Sequence, residues 1–589
     1  MRTPEERFFT TSDGTCLFYR YWPPAGGPLK QALVLFHRGH EHSGRLQHIV
    51  DELDLPSVAM FAWDARGHGR SAKATPAVQN GAKPATLGTL VKDVDEFVHH
   101  IAQSFGIAIE DMAVVGQSVG SVLVTAWVHD YAPRIRCMVL ASPAFSVKLY
   151  VPFARPALSL MYRLVGEFNV NSYVKPKALT HDPERIASYS ADPLIRRPIS
   201  VNILLALYST ADRIIEDAQA IHTPTQLLIS GADFVVHHRP QHVFFDRLGT
   251  KEKEKHIFEG FYHDTLGEKD RGPAIVKARE FLLKYLSRPP VVPCLLDSDH
   301  HGFTKDEYDR LSRPLAPWSP RAAQFSLTRI GMRTGGRLSD GIRLGLETGF
   351  DSGSTLDYVY RNRPSGITPI GRLIDWSYLN AIGWRGIRLR KDNLERMLTR
   401  AISALRAANR PVRIADIAAG HGRYVLEAIE AQQGRADHIL LRDFSEINVR
   451  EGGQLIRQKG LEAVAEFQKG DAFDRASVAA IKPQPTLGVV SGLYELFPEN
   501  GPIRESLAGL ADAIEPGGYL IYTGQPWHPQ LEMIARTLPS HRDHKPWVMR
   551  RRTQAELDQL VEAAGFCKTE QLADDWGIFT VSLAQRTGA

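Results

Sequence analysis

The stretch Val114-Val115-Gly116-Gln117-Ser118-Val119-Gly120 closes a short apolar run beginning at Met112 and opens a helix-like stretch over 121–130. A G-x-S-x-G pattern between strand and helix makes a sharp turn, because the small residues on each side let the backbone fold back. The serine hydroxyl then stands above the sheet at a helix N-terminus. The pattern alone arises often by chance; its strand–turn–helix context makes Ser118 a candidate nucleophile, against the alternative of a structural serine in a tight turn. Outward from this point, 31–36, 57–63, 137–141 and 226–230 read as further short apolar strands. Helix-like stretches such as 86–104 lie between them, which predicts a mostly parallel α/β sheet. Residues 146–220, rich in Pro, Tyr, Leu and Arg, break the rhythm and predict an inserted cap or lid. The core resumes and ends near 284–287, and Arg288-Pro289-Pro290-Val291-Val292-Pro293 reads as a linker, since proline stops helix continuation.

A serine hydroxyl needs a base, and the base needs an orienting acid. In the chain order Ser, acid, His, Asp233 sits in a loop after the strand ending Ser230-Gly231-Ala232, and His263 in the later loop Gly260-Phe261-Tyr262-His263-Asp264. His237 and His238 compete for the base but follow Asp233 too closely to lie beyond another strand, which favours His263.

These residues, with Phe36-His37-Arg38-Gly39-His40-Glu41-His42-Ser43-Gly44-Arg45 and Asp64-Ala65-Arg66-Gly67-His68-Gly69-Arg70-Ser71, give residues 7–286 a resemblance to a known family. It is the monoacylglycerol lipase and lysophospholipase branch of the α/β-hydrolases, also called serine aminopeptidase S33-like. The resemblance implies an oxyanion hole from the backbone N–H groups of Gly39 and Val119. It also accounts for most of His37, His40, His42 and His68 as structural residues rather than metal ligands, so no metal is expected. This chain departs from the family at Arg38 and His40, where Gly is usual, at Gln117 for His and at Val119 for Met. Arg38 there either narrows the acyl channel or meets a charged headgroup.

A second α/β rhythm starts near residue 410, with strand-like 412–417, 438–441, 487–491 and 519–523. Arg413-Ile414-Ala415-Asp416-Ile417-Ala418-Ala419-Gly420-His421-Gly422 follows a strand and opens a helix, where glycines let backbone approach a ligand. Asp443 ends the next strand, placed to bind ribose hydroxyls. Then come Gly470-Asp471-Ala472-Phe473, Val490-Ser491-Gly492-Leu493-Tyr494-Glu495 and Glu515-Pro516-Gly517-Gly518-Tyr519. In this order the segments resemble class I S-adenosylmethionine (SAM) methyltransferases over 405–585. The resemblance implies a Rossmann-like fold that holds SAM through Asp416, Ala418, Gly420, Gly422, Asp443, Asp471 and Ala472. Tyr494, Glu495, Trp527 and His528 follow strands at the expected mouth and are acceptor-site candidates; for the aromatics, core packing is the other reading. Residues 340–400, with Tyr358, Tyr360, Trp376, Tyr378 and Trp384, are expected to cover the pocket or to form an ordinary helical cap.

The whole chain of 589 residues, 43% hydrophobic and 23% charged, has the composition of a soluble globular protein and excludes a disordered, collagenous or disulfide-built chain. Four scattered cysteines without a C-x-x-C pair fit a reducing, cytoplasmic compartment. The start lacks a secretory apolar region, and no run reaches the roughly 18 apolar residues of a membrane span. Charge is uneven. Residues 1–300 carry 33 Lys+Arg against 32 Asp+Glu, residues 301–413 carry 20 against 10, and residues 414–589 carry 18 against 24. The middle segment reads either as a solvated basic face or as a surface for anionic lipid headgroups at the inner face of the membrane, or for an anionic substrate. No nucleic-acid motif accompanies it.

The expected organisation is therefore an α/β-hydrolase over 1–288 with a cap at about 146–220, a basic linker and helical cap region over 289–404, and a methyltransferase over 405–589. The expected function is a serine hydrolase of a lipid or lipid-like carboxylic ester, of monoacylglycerol or lysophospholipid type, joined to a SAM-dependent methyltransferase acting on a small-molecule or lipid acceptor. Two rivals stand beside it: a thioesterase/methyltransferase acting on carrier-bound natural-product intermediates, and a hydrolase with a SAM-binding regulatory half.

Overall fold

The structure is a computed structural model describing residues 1–73, 85–432 and 435–588. The chain divides into two compact units, Met1–Pro293 and Cys294–Ala589. Of the segment expected as linker and cap, 289–293 therefore belong to the first unit and the rest to the second.

In the first unit the strands are β1 (Glu5–Thr10), β2 (Cys16–Trp22), β3 (Ala32–Phe36), β4 (Ala59–Trp63), β5 (Met112–Gln117) and β6 (Met138–Ala141). They continue with β7 (Asn169–Asn171), β8 (Pro198–Ser200), β9 (Thr225–Ser230) and β10 (Lys253–Phe258). The eight-stranded sheet runs β1-β2-β4-β3-β5-β6-β9-β10. It is parallel from β4 to β10, with β1 and β2 added antiparallel at one edge. Strands β3, β4, β5 and β9 are buried along their whole length. Helices cover both faces, and a strand with no solvent face reads as an unbroken apolar run. On one face Ile49, Val50, Ala274, Ile275, Ala278 and Phe281 meet Leu33, Leu35, Met60 and Val115. On the other, Phe97 of helix Leu87–Phe105 stacks on Trp63 of β4. That helix starts at a reciprocal Thr86–Thr89 cap and stops at Gly106, whose left-handed backbone ends it without a Cβ penalty.

The insertion falls between β6 and β9. It contains helices Ala154–Val165, Pro183–Ala191 and Val201–Glu216 and the small antiparallel pair β7–β8. Helix Ala154–Val165 buries none of its residues, and Leu160, Met161, Leu164 and Val165 stand exposed on it.

In the second unit the strands are β11 (Arg413–Asp416), β12 (His438–Asp443), β13 (Ala465–Lys469), β14 (Leu487–Val490), β15 (Tyr519–Gly524), β16 (Phe566–Ala573) and β17 (Thr580–Arg586). Their order is β13-β12-β11-β14-β15-β17-β16, parallel from β13 to β15, with β17 antiparallel between β15 and β16. The order reverses between β11 and β14, so the connections leave opposite ways and open a crevice at the strands' carboxyl ends. Helix Ile382–Ala407 packs Leu394, Met397, Leu398, Ala401 and Leu405 onto one face of this sheet. Helix Asn500–Ala513 packs Ile503, Leu507 and Leu510 onto the other. The helices between 303 and 379 share a further core with residues of 531–549 and 576–579. They are part of this unit's body rather than a connector.

Candidate active sites

Ser118 sits between β5 and helix Val119–Tyr131 with φ 51° and ψ −111°. A non-glycine residue at positive φ is strained, and such strain is kept only where neighbours over-determine it. Here the neighbours are close backbone. A Cβ on Gly116 would stand 2.7 Å from Ser121 Cα, and one on Gly120 would stand 2.6 Å from the carbonyl oxygens of Phe36 and His37. Both glycines of the motif are thus required for helix and strand to meet at the turn. His263 Nε2 lies 2.7 Å from Ser118 Oγ, and His263 Nδ1 lies 2.8 Å from Asp233 Oδ2. All three residues are buried. The other Asp233 oxygen accepts from the N–H groups of Val235 and Val236. Burial alone would raise the Asp233 carboxyl, but His263 and those two N–H groups outweigh it and hold it below its ordinary value. His237 and His238 lie at the start of helix His238–Arg247 instead.

The loop after β3 brings Gly39 opposite the serine; a Cβ there would stand 3.3 Å from Val119 Cγ2. Neither the Gly39 nor the Val119 N–H has an acceptor among the described residues. Two adjacent unspent donors beside a serine hydroxyl have the geometry that receives an oxyanion. His37 is spent on backbone, accepting from Ala65 N while Nδ1 meets the Arg38 carbonyl. His40 meets the Arg196 carbonyl and His42 meets Asp192, both in the insertion. His68 meets the Arg66 carbonyl. Asp64 accepts from Ser43 and from Arg70 N, which pegs the second histidine-bearing loop to the first.

Arg38, the departure from the family pattern, is buried between Glu41 at 2.7 Å and Asp264 at 3.2 Å. Asp264 follows His263 in the chain and also takes Arg185 of the insertion at 2.8 Å. Burial alone would raise Asp264, but Arg38 and Arg185 hold it far below the usual carboxylate range. One buried carboxylate therefore ties the oxyanion loop, the histidine loop and the cap together.

In the second unit a cavity of about 760 Å³ opens at the carboxyl ends of β11, β12 and β14. Ala418, Gly420, Gly422, Asp443, Asp471 and Ala472 line it. Gly420 and Gly422 take positive φ, and a Cβ on Gly422 would stand 2.4 Å from Leu441 Cδ1. Asp443 accepts from Gly420 N with one oxygen and from Ser445 N and Asn448 Nδ2 with the other. Asp416 is not on the wall. It is buried behind it, accepting from Ala418 N and the Tyr424 hydroxyl, and burial pushes its carboxyl up to about 7. Among the described residues the buried Ser491 hydroxyl on the wall has no hydrogen-bond partner. A glycine cradle, an acid at the end of the second parallel strand and an orphaned hydroxyl fit a nucleoside-bearing cofactor such as SAM.

The structure does not bring the four acceptor candidates to this cavity. Tyr494 is buried and bonded to Ser506, Glu495 is buried beside Arg390, and Trp527 packs on the helical core. His528 is buried too; its Nδ1 accepts from Gln530 N, and burial pushes the ring down to about 3. Of the aromatics expected to cover the pocket, only Tyr360 lines it. Trp384 and Tyr378 are core, the Tyr358 hydroxyl donates to Asp375, and Trp376 is exposed. The wall instead takes Gly353, Ser354, Phe497, His541, Arg542 and Asp543. Phe497 lies just beyond the motif that follows β14, whereas Gly353 and Ser354 open helix Gly353–Arg361 and 541–543 lie beyond helix Leu531–Thr537, where no local pattern announced them.

Residues 27–270 match the family model described as "Serine aminopeptidase, S33", and residues 278–586 match the one described as "Putative methyltransferase". "Uncharacterized protein YnbC" of Escherichia coli (strain K12) is 55% identical over 585 residues, 99% of each chain. The chain belongs to that family, which joins an S33-type α/β-hydrolase domain to a methyltransferase-family domain. Among its other relatives, the monoacylglycerol lipase of Mycolicibacterium smegmatis is 26% identical over 293 residues, 48% of this chain and 99% of the relative. Human monoglyceride lipase is 26% identical over 259 residues, 43% of this chain and 81% of the relative. The α/β-hydrolase and methyltransferase folds implied by the sequence motifs are the ones this chain carries. Among the described residues no group of His, Cys, Asp or Glu has metal-holding geometry, and no helix is long and apolar enough to cross a membrane.

Proposed function

We propose that this protein is a two-activity enzyme: a serine hydrolase of carboxylic esters with apolar acyl chains, and a SAM-dependent methyltransferase. The Ser118–His263–Asp233 relay, at 2.7 and 2.8 Å, carries the first half of the reading. Ser118 Oγ attacks the ester carbonyl carbon as its proton passes to His263 Nε2. Asp233 holds the ring in the receiving tautomer and stabilises the imidazolium. The carbonyl oxygen takes the negative charge and is met by the N–H groups of Gly39 and Val119, one such donor being worth about 3–4 kcal/mol at the transition state. Collapse expels the alcohol with the proton from His263, and water repeats the sequence on the acyl-enzyme. The exposed apolar face of cap helix Ala154–Val165 supports a substrate with a long acyl chain.

In the second unit Ala418, Gly420, Gly422, Asp443, Asp471 and Ala472 would hold SAM, which when bound supplies an electrophilic methyl group for in-line transfer. Asp416 positions that loop from behind through Ala418 N. The same unit supports a peripheral contact with an anionic bilayer. Ile370, Leu373 and Trp376 are exposed on helix Pro369–Leu379, Ile367 just before it, and Leu327 and Ile330 on helix Pro320–Arg333. Both helices pack on the turn Gly335–Leu338 and carry the exposed Arg329, Arg333 and Arg372. Exposed apolar and basic side chains together are the composition of an interfacial helix.

The deciding experiment is mass spectrometry of a bacterial lipid extract incubated with pure protein and methyl-deuterated SAM, beside Ser118→Ala and Asp443→Ala. An ester lost only when Ser118 is present, and a deuterated product lost with Asp443→Ala, are the expected results. An extract unchanged in every tube overturns the reading for free lipids; SAM binding without any deuterated product overturns the transfer step.

A further inference from the structure

A second cavity of about 690 Å³ adjoins the proposed cofactor cavity. Asp351, Leu496, Phe497, Arg542 and Asp543 line both, so the two share a wall. Beyond that wall the lining is largely apolar, with Leu311, Leu315, Phe325, Trp547 and Val548. It also carries three guanidinium groups: Arg329, Arg536 and Arg542. Arg329 donates to the Arg536 carbonyl and the Ser326 hydroxyl, Arg536 to the carbonyls of Arg310 and Arg313, and Arg542 to the Leu496 carbonyl. None of the three forms an ion pair with a carboxylate among the described residues. Burial lowers Arg536 against the pull of Glu532, which pairs with Arg321, and among the described residues the buried Arg536 Nε has no hydrogen-bond partner. The acids on the same wall do not cancel this. Asp351 is taken by the Ser540 hydroxyl, His541 N and the His541 ring, Asp543 pairs with Lys545, and Glu499 is exposed, as are Arg329 and Arg542.

We propose that this cavity is the acceptor site and receives an amphiphilic carboxylate, with its head at Arg542 on the shared wall and its chain along the apolar lining. The proposal rests on the reading of the neighbouring cavity as the SAM site. An ionised carboxylate needs no base. Its oxygen forms the new O–CH3 bond as the donor's S–CH3 bond breaks, the sulfur keeps the electron pair and becomes a neutral thioether, and no proton moves. This agrees with the burial of Tyr494 and His528 away from both cavities. An alcohol or amine acceptor would instead have to call on the His541–Asp351 pair. Ester hydrolysis is the class of reaction that yields such a carboxylate, which is what the first unit is proposed to perform.

The test uses the full-length chain carrying Ser118→Ala, so that a methyl ester product is not cleaved, with dodecanoate and methyl-deuterated SAM. Deuterated methyl dodecanoate is expected by mass spectrometry. Calorimetry without the methyl donor should show dodecanoate binding, weakened about tenfold by Arg542→Gln, the loss of one charge-assisted hydrogen bond. If SAM binds but dodecanoate neither binds nor is methylated, the inference is overturned and the cofactor reading stands. Dodecanol, dodecylamine or dodecyl phosphate methylated as well as dodecanoate also overturns it. If SAM itself does not bind, the reading of the second unit fails, and this inference with it.

Discussion

Two aspartates separate the roles that burial allows a carboxyl. Asp233 is buried but receives two backbone N–H groups and the His263 ring, so it stays ionised and can steady a positive imidazole. Asp233→Asn keeps the shape but favours the wrong histidine tautomer. Ester turnover should fall by roughly 10⁴ with little change in KM; a drop of less than tenfold in a steady-state assay would remove Asp233 from the relay. Asp416 receives one backbone N–H and one tyrosine hydroxyl, too little to offset complete burial, and its carboxyl rises from 3.8 to about 7. The folded chain therefore keeps a proton that the unfolded chain loses near 3.8. The stability this contributes is whole below 3.8 and is lost as pH rises through about 7. Thermal unfolding of the wild type should weaken relative to Asp416→Asn across that window. Parallel pH profiles for the two proteins would contradict the assignment.

Helix starts and strand ends are where the sequence spoke most clearly. Strands β3, β4, β5, β6 and β9 were legible because each is an apolar run buried on both faces. Strands β1 and β10 were not, because Glu5–Thr10 and Lys253–Phe258 are exposed or half-exposed edges with polar residues at most positions. Strand β13 hid for the same reason, and its Gln468-Lys469 end reads as loop. Ser118, Asp233 and His263, the residues proposed as the relay, could be singled out in the sequence because each lies in a loop directly after a strand. The outer wall of the proposed cofactor cavity could not, since it joins 347–357 to 541–544 across nearly two hundred residues without a shared pattern. Arg38 was visible as a departure, yet only the fold shows its partners. Asp264→Asn should leave Arg38 and Arg185 short of their common carboxylate, lowering both the melting temperature and ester turnover, since removing one partner of a buried pair strands the other charges. At the elbow, Gly120→Ala sets a methyl against two carbonyl oxygens that cannot move without β3. Loss of esterase activity is expected even in protein that still folds by circular dichroism. Full activity would mean that strand and helix are not held as tightly as the geometry requires.

At the scale of the whole molecule, a net charge of +5 conceals a strong division. The first 300 residues are nearly neutral, while within the second unit residues 301–413 have twice as many basic as acidic side chains and residues 414–589 have an acidic excess. The basic segment carries the exposed Arg329, Arg333 and Arg372 on the two helices that also expose Leu327, Ile330, Ile370, Leu373 and Trp376, and an anionic surface would attract it. Electrostatics would bring the protein in and orient it; the apolar side chains would add affinity once there. The two contributions separate experimentally, because salt screens only the first: the Debye length falls from about 10 Å at 0.1 M to about 3 Å at 1 M. Sedimentation with phosphatidylglycerol-containing vesicles should be strong at low salt and largely lost near 1 M, and absent with pure phosphatidylcholine. Ile370→Ser with Trp376→Ser should weaken it at every salt concentration. Neither change should alter Ser118-dependent hydrolysis of a short water-soluble ester, which needs no surface. Equal sedimentation with neutral and anionic vesicles would show that the basic segment is an ordinary solvated face.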